Sequence, residues 1–213
     1  MTDIPVPPTI GLVLAGGLAR RMGGGDKALI NIGGITILDR VLATLSAQCV
    51  DIVINANGDP ERFADTGCEV IPDNVPGHPG PLAGILAGLD WLAAQNNGVE
   101  WLLSVPGDCP FLPDDLVERL HQARRQMGTG VPLACARSGE WRHPVVGLWP
   151  LALRADLRKA LVGEDLRKIE VWTGRHGIAV ADWPAEPVDP FLNVNTPEDL
   201  AKAEGIAAQH VGG

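Results

Sequence analysis

The sequence predicts an α/β fold: three layers, with a mostly parallel sheet between two sets of helices. Three observations lead there. Short apolar runs of strand length at 10–14, 51–55, 69–71 and 101–105 alternate with stretches of helical period at 37–48 and 82–95. That alternation calls for parallel strands joined by right-handed crossovers. Polar residues with chemical capability (Asn55, Asp73, Asp108) each follow a strand. Open sheets of this kind collect ligands beyond the carboxyl ends of their strands. Finally, a glycine-rich stretch carrying three cations follows the first strand.

That first strand, with Ile10, Leu12, Val13 and Leu14, has the length and composition of a buried parallel strand. Gly16, Gly17, Gly23, Gly24 and Gly25 then frame Arg20, Arg21 and Lys27. Glycine lets backbone N–H groups approach a ligand closely, and amides aimed inward make a nest for anions. Two arginines add forked donors and a lysine adds a point charge. Together they read as a polyphosphate cradle, against the plainer reading of a surface loop with solvated cations. Neither common phosphate motif matches. The P-loop requires Ser or Thr after its Gly-Lys, whereas Lys27 stands between Asp26 and Ala28. The dinucleotide motif requires glycine at position 18, which is Leu18.

Asn31-Ile-Gly-Gly reads as a turn, and 37–48 as a helix with Ile37, Leu38, Val41, Leu42 and Leu45 on one face. The strand at 51–55 ends in Asn55-Ala-Asn57, and the short strand at 69–71 ends just before Asp73. A Pro/Gly-rich loop, 72–81, leads into the helix at 82–95, where Gly84 and Gly88 lie one turn apart and permit close backbone approach. The strand at 101–105 ends in Pro106-Gly107-Asp108-Cys109-Pro110. A carboxylate there suits a hard divalent cation, Mg²⁺ typically taking one or two protein carboxylates plus phosphate and water; an Asx cap is the alternative. Pro113-Asp114-Asp115 opens a helix in the usual way, its acids serving the helix dipole.

Farther on, 131–136 is a fifth strand, followed by a turn and another strand through Leu148, which contains Arg142-His143-Pro144-Val145. His143 is either a ligand contact or a packed strand-end residue. The segment 150–161 reads as a helix and 165–169 as the opening of another, with Arg167 and Lys168 adjacent. Adjacent basic residues most simply make a solvated face. Thr196-Pro197-Glu198-Asp199 is a helix start, with Thr196 as N-cap and Asp199 placed to reach back. Asn193 and Asn195 have no such structural explanation, and extended alternation puts both on one face.

At 213 residues the chain is read as one domain over 10–207, with a Pro-rich leader (1–9) and a short tail (208–213). A net charge of −9 argues against a general nucleic-acid or anionic-membrane surface, so the anion site is a local basic pocket in an acidic protein. No apolar run reaches the roughly 20 residues of a membrane span, and the first ten residues lack the basic start and apolar core of a signal peptide. Cys49, Cys68, Cys109 and Cys135 are widely spaced, as befits free thiols in a reducing cytoplasm. The five histidines show no zinc spacing.

The stretch LAGGLARRMGGGDKAL resembles the LAGGxSxRMGxDKxL loop of nucleotidyltransferases that use a nucleoside triphosphate to cap a phosphorylated acceptor. Within that superfamily it is most similar to the molybdenum cofactor guanylyltransferases; LAGG and DKAL are guanylyl forms, where cytidylyl relatives carry LAAG and NK. Ala19 departs from the usual Ser. PGPLAGI, the turn at Asp108 and NxNTPEDL match further motifs in the same order. The resemblance implies a Rossmann-like sheet of the nucleotide-diphospho-sugar transferase type. It also implies transfer of GMP from GTP to the terminal phosphate of molybdopterin, or its molybdenum-loaded form, with Mg²⁺ on Asp108. It makes Arg21, Lys27 and Asp108 catalytic. GTP would be held by Leu14, Ala15, Gly16, Gly17, Arg21, Lys27, Asn55, Asp73, Gly80, Pro81, Leu82 and Asp108. The acceptor would meet His143, Arg167, Lys168, Asn193 and Asn195. A monomer with no nucleic-acid or membrane partner is expected. CMP transfer to molybdopterin or to a sugar or polyol phosphate, and GTP sensing without turnover, remain the alternatives.

Overall fold

Strand β1 (Thr9–Leu14) lies near the middle of the sheet, with Ile10, Leu12 and Val13 wholly buried. The computed structural model describes residues 5–16, 26–75, 77, 80–128 and 132–210. A small antiparallel hairpin, β2 (Asn31–Ile32) and β3 (Ile35–Thr36), turns through Gly33 and Gly34, both at positive φ. Next come α1 (Ile37–Ser46), β4 (Asp51–Asn55), a 3₁₀ segment (Pro60–Thr66), β5 (Glu69–Ile71), α2 (Pro81–Gln95) and β6 (Trp101–Pro106). The second half contributes α3 (Leu116–Gln126), β7 (Leu133–Ser138), β8 (Trp141–Pro150), α4 (Arg154–Arg158), α5 (Ile169–His176), β9 (Ile178–Trp183) and α6 (Pro197–His210).

Seven strands form one sheet in the order β5-β4-β1-β6-β8-β7-β9. β5, β4, β1 and β6 are mutually parallel, β8 runs antiparallel to β6 and β7, and β9 is parallel to β7. One face carries a core built from α1, α3 and α6 side chains, among them Leu38, Val41, Leu120 and Ala203. The other is covered by α2, α4 and α5, through residues such as Leu82, Leu86, Leu157 and Trp172. These are the three layers that the alternating sequence predicts. From β1 the sheet grows one way through β4 to β5 and the other way through β6. The crevice outside their carboxyl ends is therefore a topological switch point, where such folds bind ligands.

Local chemistry accounts for the helix starts. Thr36 Oγ1 accepts from Asp39 N (3.0 Å) and donates to Asp39 Oδ2 (2.7 Å), fixing the first turn of α1. At α6, Asp199 Oδ2 accepts from the amides of Asn195 (3.0 Å) and Thr196 (2.9 Å), while Asp199 N donates to Thr196 Oγ1 (3.2 Å). That is the predicted capping box. α2 is buried on nearly all sides, and a Cβ on Gly88 would stand 2.8 Å from Leu12 Cδ2. Glycine lets this helix lie against β1.

Several boundaries differ from the sequence reading. The helix predicted to open at 165 begins at Ile169; Asp165 takes φ +50° and 165–168 form a connector. The segment read as a helix at 150–161 gives Pro150 to β8, then a 3₁₀ turn, then α4 running into a π-turn. The fifth strand begins at Leu133. β9 was not anticipated: its inward residues include Ala179 and Ala181, too small to make an apolar alternation stand out. Asn193 and Asn195 belong to no strand. All four cysteines are free thiols, Cys109 and Cys135 buried and the other two half-buried. Among the described residues no helix is long and apolar enough to cross a membrane.

Candidate active site

The carboxyl ends of β4, β1 and β6 are laced together by their backbones. Ala15 N donates to Asn55 O (2.9 Å), Gly107 N to Leu14 O (3.0 Å) and Ala56 N to Ile71 O (3.0 Å). A cavity of about 210 Å³ opens above them, lined by Leu14, Ala15, Lys27, Ala28, Pro106, Gly107, Asp108, Val145 and Asn193. Gly107 is confined here, since a Cβ would meet Leu14 O at 3.3 Å and Ala15 Cα at 3.4 Å. Ser104, wholly buried, holds the far wall: its hydroxyl donates to Val145 O (2.5 Å) and accepts from Trp149 Nε1 (2.8 Å).

Asp108 and Lys27 face each other across this cavity, Nζ to Oδ2 at 3.9 Å, with about a fifth of each side chain exposed. Burial raises the carboxyl's pKa, and the Lys27 ammonium and Asp108's own backbone amide pull it back. Lys27 Nζ also donates to Asn195 Oδ1, a residue 168 positions away in the chain. The same C-terminal segment is tied to the β6 turn by Val194 N donating to Asp108 O (3.0 Å) and by the Cys109 thiol donating to Asn193 Oδ1 (2.8 Å). Both asparagines thus use their side-chain carbonyl oxygens within the protein. So Asn193 and Asn195 do converge on Asp108 and Lys27, through an irregular segment and not through strand alternation.

A second polar group caps β4 and β5. Asn55 Nδ2 donates to Ile71 O (3.2 Å) and to Asp73 Oδ1 (3.1 Å). Asn57 Nδ2 donates to Asp73 Oδ2 (2.9 Å), and Asp73 N returns a bond to Asn57 Oδ1 (2.9 Å). Asn55 is only 6% exposed, so it orients Asp73 more than it meets solvent. Gly80, at φ +80°, turns the chain into α2, where Pro81 holds the first helical position. The side chain of Leu82 is wholly buried, which leaves its backbone as the part available at the helix start.

The other predicted residues are placed differently. His143 Nε2 lies 2.7 Å from Ser138 Oγ and its ring packs on Phe191 (4.8 Å between centroids); burial lowers its pKa. Arg167 is exposed and pairs with Asp165 at 2.9 Å, and Lys168 is exposed at the start of α5. None of these three lines the cavity. Gly16 follows Ala15 at the cavity's edge, whereas Gly17 and Arg21 lie outside the described residues, as do Arg20 and the glycines at 23–25. Residues beside the site to which the sequence reading gave no role are Asn57, Cys109, Val145 and Arg62, whose guanidinium donates to Asn57 O. Asn57 had a signal, as the second member of an N-x-N at a strand end; Cys109 and Val145 act through contacts distant in sequence.

Asp108 is the carboxylate of the cavity that could hold a divalent cation. Among the described residues no group of three or more His, Cys, Asp or Glu is gathered to cage an ion. A lone, largely buried carboxylate fits a hard divalent cation that fills its remaining positions with phosphate oxygens and water.

A family model described as the MobA-like NTP transferase domain matches residues 11–178. A protein of Nitrobacter hamburgensis named molybdenum cofactor guanylyltransferase is 60% identical over 96% of this chain and 97% of its own. Another of that name, from Rhodopseudomonas palustris, is 56% identical over 97% of this chain and 95% of its own. The crystal structure of molybdopterin-guanine dinucleotide biosynthesis protein A from Archaeoglobus fulgidus superposes with a TM-score of 0.71 at 24% identity, covering 94% of this chain and 99% of that one. A Mycobacterium tuberculosis protein solved with manganese gives 0.63 at 18% identity, over 93% and 98%. These structures share the fold, and the sequence relatives add the family. The chain is a nucleotidyltransferase and belongs to the MobA-like NTP transferase family, among the molybdenum cofactor guanylyltransferases.

Proposed function

We propose that the protein transfers GMP from GTP to the terminal phosphate of molybdopterin, or of its molybdenum-loaded form, and releases pyrophosphate. The observation that carries this reading is the meeting of Lys27, Asp108 and Asn195 at the switch point, in a chain 60% identical to a guanylyltransferase. In the reaction, an oxygen of the acceptor phosphate attacks the α-phosphorus of GTP. A new P–O bond forms, the bond to the α,β-bridging oxygen breaks, and its electron pair leaves with pyrophosphate. The acceptor is already an anion near neutral pH, so no side chain has to remove a proton. Positioning and charge neutralisation then supply the catalysis.

Lys27 places its ammonium against the phosphates and stabilises the charge that builds on the leaving group. Its bond to Asn195 holds it there. Asp108 would hold Mg²⁺, which when bound supplies Lewis-acid stabilisation of phosphate oxygens. The amides of Asn193 and Asn195 donate to the acceptor phosphate. Asp73, oriented by Asn55 and Asn57, and the backbone at Gly80, Pro81 and Leu82 form the guanosine side. Leu14, Ala15 and Gly16 contribute backbone beside the phosphates, and Arg21 and Gly17 complete the cradle in this reading.

The test is pyrophosphate release from purified protein, Mg²⁺, molybdopterin-bearing acceptor and GTP, CTP or ATP. Release with GTP alone supports the assignment. Release with CTP moves the protein to cytidylyl transfer, and GTP binding without release makes it a nucleotide sensor. Mn²⁺ in place of Mg²⁺, and a chelator, test the need for a divalent ion.

A further inference from the structure

Asp26 immediately precedes Lys27 and stands at the N-cap position of the 3₁₀ turn Lys27–Leu29, yet its side chain makes no capping bond. It is turned away, to Arg62 on the 3₁₀ segment between β4 and β5. Arg62 Nε stands 3.0 Å from Asp26 Oδ2, where the Asp26 side chain is only 6% exposed and that of Arg62 27%. The Nε–H does not align on that oxygen, so the contact is an ion pair and not a directed hydrogen bond. The directed bond of this guanidinium runs from its NH2 to the Asn57 carbonyl, at 2.6 Å. Asn57 is in turn the residue whose side chain exchanges two bonds with Asp73. One side chain thus joins the backbone that carries Lys27 to the strand end that carries Asn55, Asn57 and Asp73.

We infer that Arg62 is a positioning residue that sets the phosphate-side lysine at a fixed distance from the nucleoside-side clasp. The inference rests on the guanylyltransferase reading above. At its tip Lys27 is bonded to Asn195 and faces the Asp108 carboxylate. Without the anchor at its base the ammonium can follow Asn195 instead of the nucleotide. Fork geometry matters, because the same guanidinium must meet a carboxylate on one side and a carbonyl on the other. A lysine keeps the charge but not the planar fork that holds both partners in one geometry. Misplacement of a catalytic group by about 1 Å costs up to about a hundredfold in rate. The loss should therefore fall on kcat more than on GTP KM.

The experiment compares wild type, Arg62→Ala, Arg62→Lys, Asp26→Asn and the double variant Arg62→Ala/Asp26→Asn by steady-state pyrophosphate release with GTP, with thermal melts of each. Arg175→Ala, which breaks the exposed pair between Arg175 of α5 and Glu164 before it, is the scaffold control. The expected result is a kcat at least tenfold lower for Arg62→Ala, several-fold lower for Arg62→Lys with an unchanged melt, and full activity for the control. The double variant should be no slower than Arg62→Ala alone, because both changes break one link. Wild-type kcat in Arg62→Lys overturns the inference, also if Arg62→Ala proves unstable. So does a double variant in which the two losses multiply. Absence of turnover in the wild type, by contrast, would refute the guanylyltransferase reading itself.

Discussion

Gly84 offers a test of how tightly the proposed nucleoside side of the site is built. An added methyl would stand 2.3 Å from Asn55 Oδ1 and 2.6 Å from Leu14 Cδ2. The amide cannot swing aside freely, since Asn55 Nδ2 is committed to Ile71 O and Asp73 Oδ1. In Gly84→Ala the helix gains about 1 kcal/mol of intrinsic propensity. Against that, overpacking costs about 1–3 kcal/mol. Displacing Asn55 puts two hydrogen bonds at risk, each worth about 1 kcal/mol. The net is a destabilisation of about 2 kcal/mol, or roughly 4–8 °C in Tm for a chain of this size. Because Asn55 orients Asp73, GTP KM should rise while kcat changes less. Thermal melts with and without GTP, together with GTP titration of initial rates, measure both. A Tm equal to or above wild type with unchanged KM would refute the close packing and the role given to the clasp.

Gly205→Ala on α6 is the counterpart: nothing lies within 4 Å of its Cβ, so the variant should gain up to about 1 kcal/mol and a few degrees in a melt. Asp108→Asn should leave the melt close to wild type while cutting turnover by about a hundredfold or more at saturating Mg²⁺; retained activity would remove Asp108 from the metal-binding role. His121 sets an acid limit. Wholly buried, with Nε2 at 2.9 Å from Thr9 Oγ1, its pKa falls from 6.5 to about 3, chiefly by desolvation and further by Arg124 and Arg125. The unfolded chain therefore takes up a proton below pH 6.5 that the folded one refuses. Stability from this group is full above that value and is lost as pH falls toward 3, by up to about 1.4 kcal/mol per unit. Melts of His121→Gln from neutral pH down to about 4.5 should show a flatter acid limb than wild type, and an identical limb would count against the assignment.

What the sequence discloses is the order of elements and the strand ends. Alternating runs locate β1, β4, β5 and β6, and Asn55, Asp73 and Asp108 fall at strand ends because those residues terminate apolar runs. The sequence cannot disclose which polar groups spend their hydrogen bonds on one another. His143 in Arg-His-Pro-Val reads equally as a ligand contact or a packed residue, and only the fold shows Ser138 and Phe191 against its ring. Arg167, which the family resemblance places near the acceptor, closes on Asp165 two residues back. β9 is hidden by its alanines, and Arg62 looks like one more surface arginine until the fold brings Asp26 to it.

The distribution of anchors around the site has a physical logic. Lys27 is held at its tip by Asn195 and, through Asp26, at its base by Arg62. The Asp108 turn is bonded to Val194, and Asn193 is oriented by Cys109. Each of these links joins a strand-end loop of the N-terminal half either to the segment that returns before α6 or to the β4–β5 connection. No single element carries Lys27, Asp108 and Asn195, so their geometry rests on links between separate loops. A loop that had to recruit these partners during each turnover would lose the advantage of preorganisation, which depends on groups being fixed before charge develops. Destabilising the β5 edge or the α6 start should accordingly reach kcat, even though neither element contains Lys27 or Asp108. Substitutions on the exposed face of α5 should not.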